Sequence, residues 1–291
     1  MTEKLVVRWK RYQAVSCGSG TQARFMIDYS ADILRATDEE LALLELEDDE
    51  STEDLTEDFL EEFADVWVEE PIAPKPDPDQ MLVLLNSAVP SDRILAARAF
   101  CEIQDARAID RLIELINDPC PLTRVAVAYA LGRNPHSAVV RPLIRQLQSD
   151  WNGYVRKGLV WALGNCHDLQ ILLPLIHALK TDIPAVRLWA ASSLAQVGDL
   201  GYEVVLAAIP PLIEAMLGDE IAAVRSNCAW SIGRLCLELP SNVVYATAVD
   251  ALIEVVAEDP ELGVRADSKA ALLKLGDPRG MQAIETLEAD A

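Results

Sequence analysis

Asp182-Ile183-Pro184-Ala185-Val186-Arg187, followed by an apolar, alanine-rich run to Gly198, is the stretch that decides the fold. Its opening returns as Asp118 to Arg124, Asp150 to Val155-Arg156, Asp219 to Val224-Arg225 and Asp259 to Val264-Arg265. A weaker copy holds Asp92-Arg93 and Leu95-Ala96-Ala97. The recurring Asp is spaced by 32, 32, 37 and 40 residues, a period that means one helical unit stacked on copies of itself. The fold expected is all-α: an α-solenoid of about six helix pairs.

Each Val-Arg element opens an alanine-rich helix such as Val155–Gly164, and a turn then leads to a second apolar helix such as Ile171–Leu179. Met81–Leu85 reads as a first short helix. Gly132, Gly164, Gly198, Gly233 and Gly276 sit near the ends of the first type, where left-handed C-caps are expected. Pro142, Pro174 and Pro210-Pro211 fall near the starts of the second type, where a missing N–H costs least. The repeated Asp can cap free N–H groups, and the Arg can reach the Asp of its own or the next repeat, a ladder of charged hydrogen bonds. That makes the Asp–Arg row structural and moves the functional search to the other face of the same helices.

Counting from the Arg as zero at about 100° per residue, positions +3, +4 and +7 form a buried stripe and +1, +2, +5 and +9 the opposite one. The opposite stripe carries Tyr129, Trp161 and Trp230 at +5, Trp189 at +2, Lys157 at +1, and Arg133, Asn165 and Arg234 at +9. These eight residues are the candidate partner-binding set, because rings beside Arg are the composition of interface hot spots. The competing reading has the rings filling space between adjacent repeats.

The 291 residues carry a net charge of −22, concentrated in one place. Residues 38–70 hold 17 Asp/Glu and no Lys/Arg. The boundary is placed at a proline-rich linker, Pro71 to Pro78, dividing an acidic arm (1–78) from the solenoid (79–291). Thr37 to Glu40 is a capping box for a short helix, and Leu55, Phe59, Leu60, Phe63, Val66 and Trp67 line one face of an amphipathic helix with an acidic back. That helix either caps the first repeat or docks on a partner or on the chain's own groove. Residues 93–145 hold eight Arg and five acidic residues, a basic surface the arm could lie on. The acidic balance excludes nucleic acid, which needs clustered Lys/Arg. No apolar run is long enough to span a membrane, and Met1–Lys10 lacks a signal-peptide core, so a cytoplasmic protein is expected. Six Cys show neither disulfide nor zinc spacing.

Val125-Ala126-Val127-Ala128-Tyr129-Ala130-Leu131-Gly132, Leu159-Val160-Trp161-Ala162-Leu163-Gly164 and Pro142-Leu143-Ile144-Arg145-Gln146-Leu147 resemble the HEAT-like repeat of the phycobilisome-lyase type over about residues 90–290. The resemblance implies a solenoid with the Val-Arg helix on its concave side. It also implies an alternative function: a bilin lyase subunit, or a chaperone of phycobiliproteins, with Arg133, Lys157 and Arg234 facing the propionates of a linear tetrapyrrole. The hydroxylase branch of this repeat family uses His-Glu pairs as iron ligands. Here His136, His167 and His177 are not followed by Glu, so no metal is expected. Cys166-His167 is read as a turn thiol and its neighbour. With no phosphate loop or nucleophile elbow, the function expected is a non-catalytic scaffold holding a protein partner in the concave groove, without a cofactor.

Overall fold

A computed structural model describes residues 76–289, which belong to one compact unit, Pro76–Ala291. The expected helices at 37–47 and 55–67, and most of the proline linker, lie outside the described residues. Among the described residues there are thirteen α-helices and no strand. They are α1 (Pro78–Leu84), α2 (Pro90–Ala99), α3 (Ile109–Leu115), α4 (Pro121–Arg133), α5 (Val140–Ser149), α6 (Gly153–Gly164), α7 (Leu172–Thr181), α8 (Pro184–Leu194), α9 (Tyr202–Gly218), α10 (Ala222–Leu235), α11 (Val243–Glu258), α12 (Leu262–Leu275) and α13 (Pro278–Ala289).

Six helix pairs run from α1–α2 to α11–α12, and α13 follows as a last odd-numbered helix. The even-numbered helices carry the Val-Arg elements and form one layer, each packed on the even-numbered helix before and after it. The odd-numbered helices form the second layer. Pro90, Pro121 and Pro184 each open an even-numbered helix at its first position, where their fixed φ suits the turn. Between the layers lies an aliphatic core that includes Leu112, Leu131, Leu143, Leu159, Leu163, Leu175, Leu194, Leu212 and Leu252, all fully buried.

The ladder runs forward. The guanidinium of Arg93 donates to Asp118, Arg124 to Asp150, Arg156 to Asp182, Arg187 to Asp219 and Arg225 to Asp259, each through Nε and Nη2 at 2.7–3.1 Å. Nη1 of Arg124, Arg156, Arg187, Arg225 and Arg265 donates back to the carbonyl of its own repeat's Asp. Each Arg thereby staples two successive repeats. The Asp does not cap the helix itself. It closes the turn before it, accepting from the N–H of Cys120, Asn152, Ile221 or Glu261 two residues on, or of Ile183 in the third rung. Burial alone would raise the carboxyl pKa of Asp118, Asp150 and Asp219, yet the Arg and N–H donors hold all three below the ordinary value.

The glycine expectation is corrected by the packing. Only Gly276 ends an even-numbered helix in the left-handed region, at φ 65°. Gly132, Gly164 and Gly233 are helical residues where the next helix approaches. A Cβ on Gly132 would lie 2.5 Å from the Trp161 ring, one on Gly164 2.6 Å from Ser193 Oγ, and one on Gly233 2.7 Å from Ala271 Cβ. They are glycine for want of space. The prolines at 210 and 211 are also displaced from a helix start: α9 begins at Tyr202, two turns earlier, and carries both inside it. This longer helix accompanies the wider spacing between Asp182 and Asp219.

Candidate functional site

The stripe opposite the buried one is where the candidate residues sit, and the structure sorts them into two groups. Tyr129 is 2% exposed, Trp189 6%, Trp161 8% and Lys157 8%. Arg133, Asn165 and Trp230 are half-buried, and Arg234 is exposed.

The first group forms the seam between successive even-numbered helices. The Trp161 ring of α6 lies against Gly132 of α4 and meets Tyr129 with centroids 5.1 Å apart and planes tilted by 49°. Lys157 Nζ stands 5.4 Å from the centre of the Trp189 ring on α8, and Arg133 Cζ stands 5.8 Å from that of Trp161. Each ring or cation reaches across to the neighbouring repeat, which is why a side chain on the outward stripe is nonetheless covered. The row of solvent-facing rings expected from the helical wheel is therefore reduced to Trp230. Burial pushes the Lys157 ammonium down to about 8.

Toward the later repeats small polar residues replace rings in this seam. Ser193 Oγ donates to the Val160 carbonyl at 3.1 Å, Ser231 Oγ to that of Ala191 at 2.9 Å, and Asn227 Nδ2 to that of Leu188 at 3.2 Å. Ser193 and Ser231 share position +6, held by Ala130 and Ala162 in earlier repeats, a polar register among alanines that the sequence displays and the wheel argument passed over. Asn134 ties repeats likewise, donating to the Phe100 carbonyl at 2.7 Å and accepting from Asp105 N at 3.3 Å.

What stays open on the stripe is a row of donors at the C-terminal ends of the even-numbered helices. At +9 these are Arg133, Asn165, exposed Gln196, exposed Arg234 and exposed Lys274, with Glu102 in the first repeat. Asn165 Nδ2 donates to the Trp161 carbonyl of its own helix, and Arg234 Nε to the Ala195 carbonyl of the preceding repeat at 3.1 Å. Trp230 and Arg234 stand one turn apart on α10, on one face.

The chemistry available elsewhere is limited. Burial raises the thiols of Cys101 and Cys236 to about 12 and of Cys166 to about 11, so they stay protonated and unreactive near neutrality. His167 is exposed, 4.0 Å from Asp199. Among the described residues no group of three or more His, Cys, Asp and Glu could hold a metal ion, and no helix is long and apolar enough to cross a membrane. A cleft of about 510 Å³ opens at the ladder edge, lined by Leu147, Leu173, His177 and Ile183 among others, away from the stripe.

Comparison with known proteins agrees with this architecture. Residues 78–164 and 140–209 match one HEAT-repeat family, and residues 208–239 match a second. No curated protein sequence matches the chain. A designed armadillo repeat protein in complex with the peptide (KR)4 is similar at 20% identity and TM-score 0.52, over 69% of this chain and 100% of that one. Kap121p bound to Ste12p is similar at 17% identity and TM-score 0.57, over 68% of this chain and 23% of that much longer one. The complex of CpcE and CpcF of phycocyanin lyase from Nostoc sp. PCC7120 is similar at 21% identity and TM-score 0.51, over 81% and 85%. These likenesses show a shared fold. With both family matches falling on the helix pairs joined by the Asp–Arg ladder, the chain belongs to the HEAT-repeat proteins.

Proposed function

We propose that the solenoid is a non-catalytic scaffold that holds a partner protein along the face of its even-numbered helices, the concave side of the stack. The observation that carries this is the pairing of half-buried Trp230 with exposed Arg234 on α10, in line with the donor row Arg133, Asn165, Gln196 and Lys274. Trp and Arg are both enriched among interface hot spots. In this reading Tyr129, Trp161, Trp189 and Lys157 hold the wall in shape, and the partner touches its open edge. Solenoids of similar fold bind peptide or protein, as the complexes with (KR)4 and Ste12p state. Their ligand chemistry does not transfer. The row here is mostly cationic or donor-only and suits an extended acidic segment that brings carboxylates and free backbone carbonyls.

The test compares partner capture from the native source by the full chain and by Trp230→Ala/Arg234→Ala, with partners identified and their binding to purified protein titrated. Loss of about 2 kcal/mol or more of affinity is expected, measured at a temperature where both proteins are fully folded, since losing the Arg234–Ala195 bond also lowers thermal stability. Unchanged affinity sinks the assignment. The similarity to phycocyanin lyase subunits motivates one further arm. A shift in visible absorbance on adding a linear tetrapyrrole, lost on replacing Arg133 and Arg234, would favour a bilin-handling role over the scaffold.

A further inference from the structure

A file of exposed apolar side chains crosses the loops and first turns that open the even-numbered helices. The openings of α2, α4, α6 and α8 present Val89, Leu122, Trp151, Tyr154 and Ile183, one or two from each of four successive repeats. Trp151 is 76% exposed and Tyr154 55%. Single exposed apolar residues are ordinary, but a file of them in register marks an interaction surface. The Arg124 guanidinium lies 5.9 Å from the centre of the Trp151 ring and holds that ring in place. The cleft of about 510 Å³ begins one residue from Trp151, at Asp150, and is walled by Leu147, Leu173, Pro174, Ala178 and Ile183. The four openings have no free charge. Residues 86–91, 117–122, 149–154 and 181–186 contain no Lys, Arg or Glu, and their Asp118, Asp150 and Asp182 are gripped by the ladder. The two later openings differ, each carrying an exposed glutamate, Glu220 or Glu261. The acceptors of the four openings are spent as well: the carbonyls of Ser87, Ala88, Asp118, Pro119, Asp150 and Asp182 all accept from ladder arginines. Donors remain. Among the described residues nothing accepts from the Trp151 indole N–H or the Tyr154 hydroxyl. Arg156, which lines the cleft, commits its Nη1 to one carbonyl, where Arg93, Arg124 and Arg225 commit theirs to two.

We propose that this edge is a second interaction surface, distinct from the stripe, and that it binds an uncharged, proline-rich segment of a partner protein in the polyproline II conformation. Open donors beside spent acceptors call for a ligand that brings carbonyls without N–H groups. A run of proline does so, because each residue keeps its C=O and lacks the N–H. An α-helix bonds its carbonyls internally, and a strand brings N–H groups that this edge has nothing to receive. The spacing agrees. Polyproline II repeats every three residues, about 9.3 Å at about 3.1 Å per residue, and packed helices stand about 8–10 Å apart. Every third residue of the segment therefore meets the next repeat, and four repeats take about ten residues. Charge complementarity points the same way, since a charged side chain laid on these openings would lose hydration and find no counter-ion. Trp151 and Tyr154 supply flat faces for pyrrolidine rings, and the cleft beyond them takes a larger apolar side chain.

The probe is a fluorescent synthetic peptide of about ten residues in the repeat Pro-Pro-Leu, titrated into the full chain by anisotropy. Two comparison peptides have every Pro replaced by Ala, or every Leu replaced by Glu. Saturable binding of the proline peptide is expected, weakened about tenfold or more by Trp151→Ala and by Leu173→Glu, which puts a charge in the cleft wall. Both positions are exposed, and thermal melts establish that the variants stay folded at the temperature of the titration. Trp230→Ala/Arg234→Ala, on the stripe, should leave this binding unchanged. No saturation up to about 1 mM overturns the proposal, as does binding indifferent to Trp151→Ala. Equal binding of the alanine peptide would remove the role of the missing N–H groups, and tighter binding of the glutamate peptide would make the surface one for acidic segments; either result overturns it too.

Discussion

Replacing Asp150 by Asn strips the charge from the most deeply buried rung of the ladder. The Asp150 side chain is 0% exposed and that of Arg124 7%. Asp150 accepts from Arg124 Nε at 2.7 Å and Nη2 at 2.9 Å, from Asn152 N at 2.9 Å and from Gln146 Nε2 at 2.7 Å. All four partners are donors. An Asn there must turn its NH2 toward one side of that donor set and leaves the guanidinium without a counter-ion. Breaking a buried pair from one side costs about 3–5 kcal/mol. For a domain of this size that corresponds to a fall in melting temperature of about 10 °C. The same change at Asp182 has a smaller expected cost, about 1–2 kcal/mol, because Arg156 and Asp182 are 18% and 12% exposed and water can replace part of what is lost. Urea and thermal denaturation of Asp150→Asn, Asp182→Asn, Arg124→Met and Arg124→Met/Asp150→Asn supply the comparison. The double variant should cost less than the two single changes added together by about 2 kcal/mol, since the second change removes a charge already stranded. Strict additivity, or equal costs at Asp150 and Asp182, would refute the claim that burial of the rung sets its worth.

Gly132→Ala should destabilise by about 1–2 kcal/mol, since overpacking against Trp161 outweighs the roughly 0.5–1 kcal/mol that Ala gains in a helix, while Gly218→Ala, with nothing within 4 Å, should be neutral or stabilising. Thermal melts of the pair decide it, and equal effects would contradict the close-approach account. The depressed carboxyls of Asp118, Asp150, Asp219 and Asp259 give stability that is present above the unfolded Asp value of about 4 and lost as pH falls through their lower folded values. Acid titration by circular dichroism should show helix loss confined below about pH 4, and a transition centred near pH 6 would assign acid sensitivity to other groups. Lys157 has its folded value lowered to about 8 from 10.5, so its burial cost is fully present below pH 8 and is relieved as pH rises toward 10.5. Wild-type stability should therefore rise across that window relative to Lys157→Met, and parallel pH profiles for the two would remove the desolvation argument.

The helix pairs were legible because the Asp and Arg of each repeat are six residues apart or five, a local signal that needs no knowledge of the partner repeat. The direction of the ladder was not. Whether Arg124 bonds Asp118 or Asp150 depends on how far one repeat is shifted along the next, which no single repeat encodes. The same limit explains the stripe. A helical wheel places Trp161 and Trp189 opposite the Leu159 and Leu163 stripe, and they are opposite it. The wheel has no neighbour, however, and the neighbour at Gly132 is so close that the indole takes the space a Cβ would need. Gly132 was in view as a C-cap, and its meaning changed only with the distance to the ring. Cys166, read from its helix-end position as a turn thiol, is buried in the structure with its Sγ directed at the Ala162 carbonyl one turn back, a burial its turn position does not announce.

The two halves of the seam imply different mechanical behaviour, which bears on where a partner can act. Between α4 and α6 the contact is made by the Trp161 ring on Gly132 and Tyr129, and a ring displaced by even 1 Å forfeits much of its dispersion energy at once. Between α8 and α10 it is made largely by hydroxyl, amide and guanidinium hydrogen bonds from Asn227, Ser231 and Arg234 to backbone carbonyls. Those bonds tolerate a few tenths of an ångström of sliding, and water can replace them at exposed positions. A partner that bends the solenoid would therefore bend it at the α8–α10 joint. That is also where Trp230 and Arg234 leave the wall open, and Arg234 is at once the exposed cation of the row and a donor to the Ala195 carbonyl. A carboxylate that drew Arg234 away from Ala195 would loosen the α8–α10 joint in the act of binding, because that one guanidinium also holds the joint together.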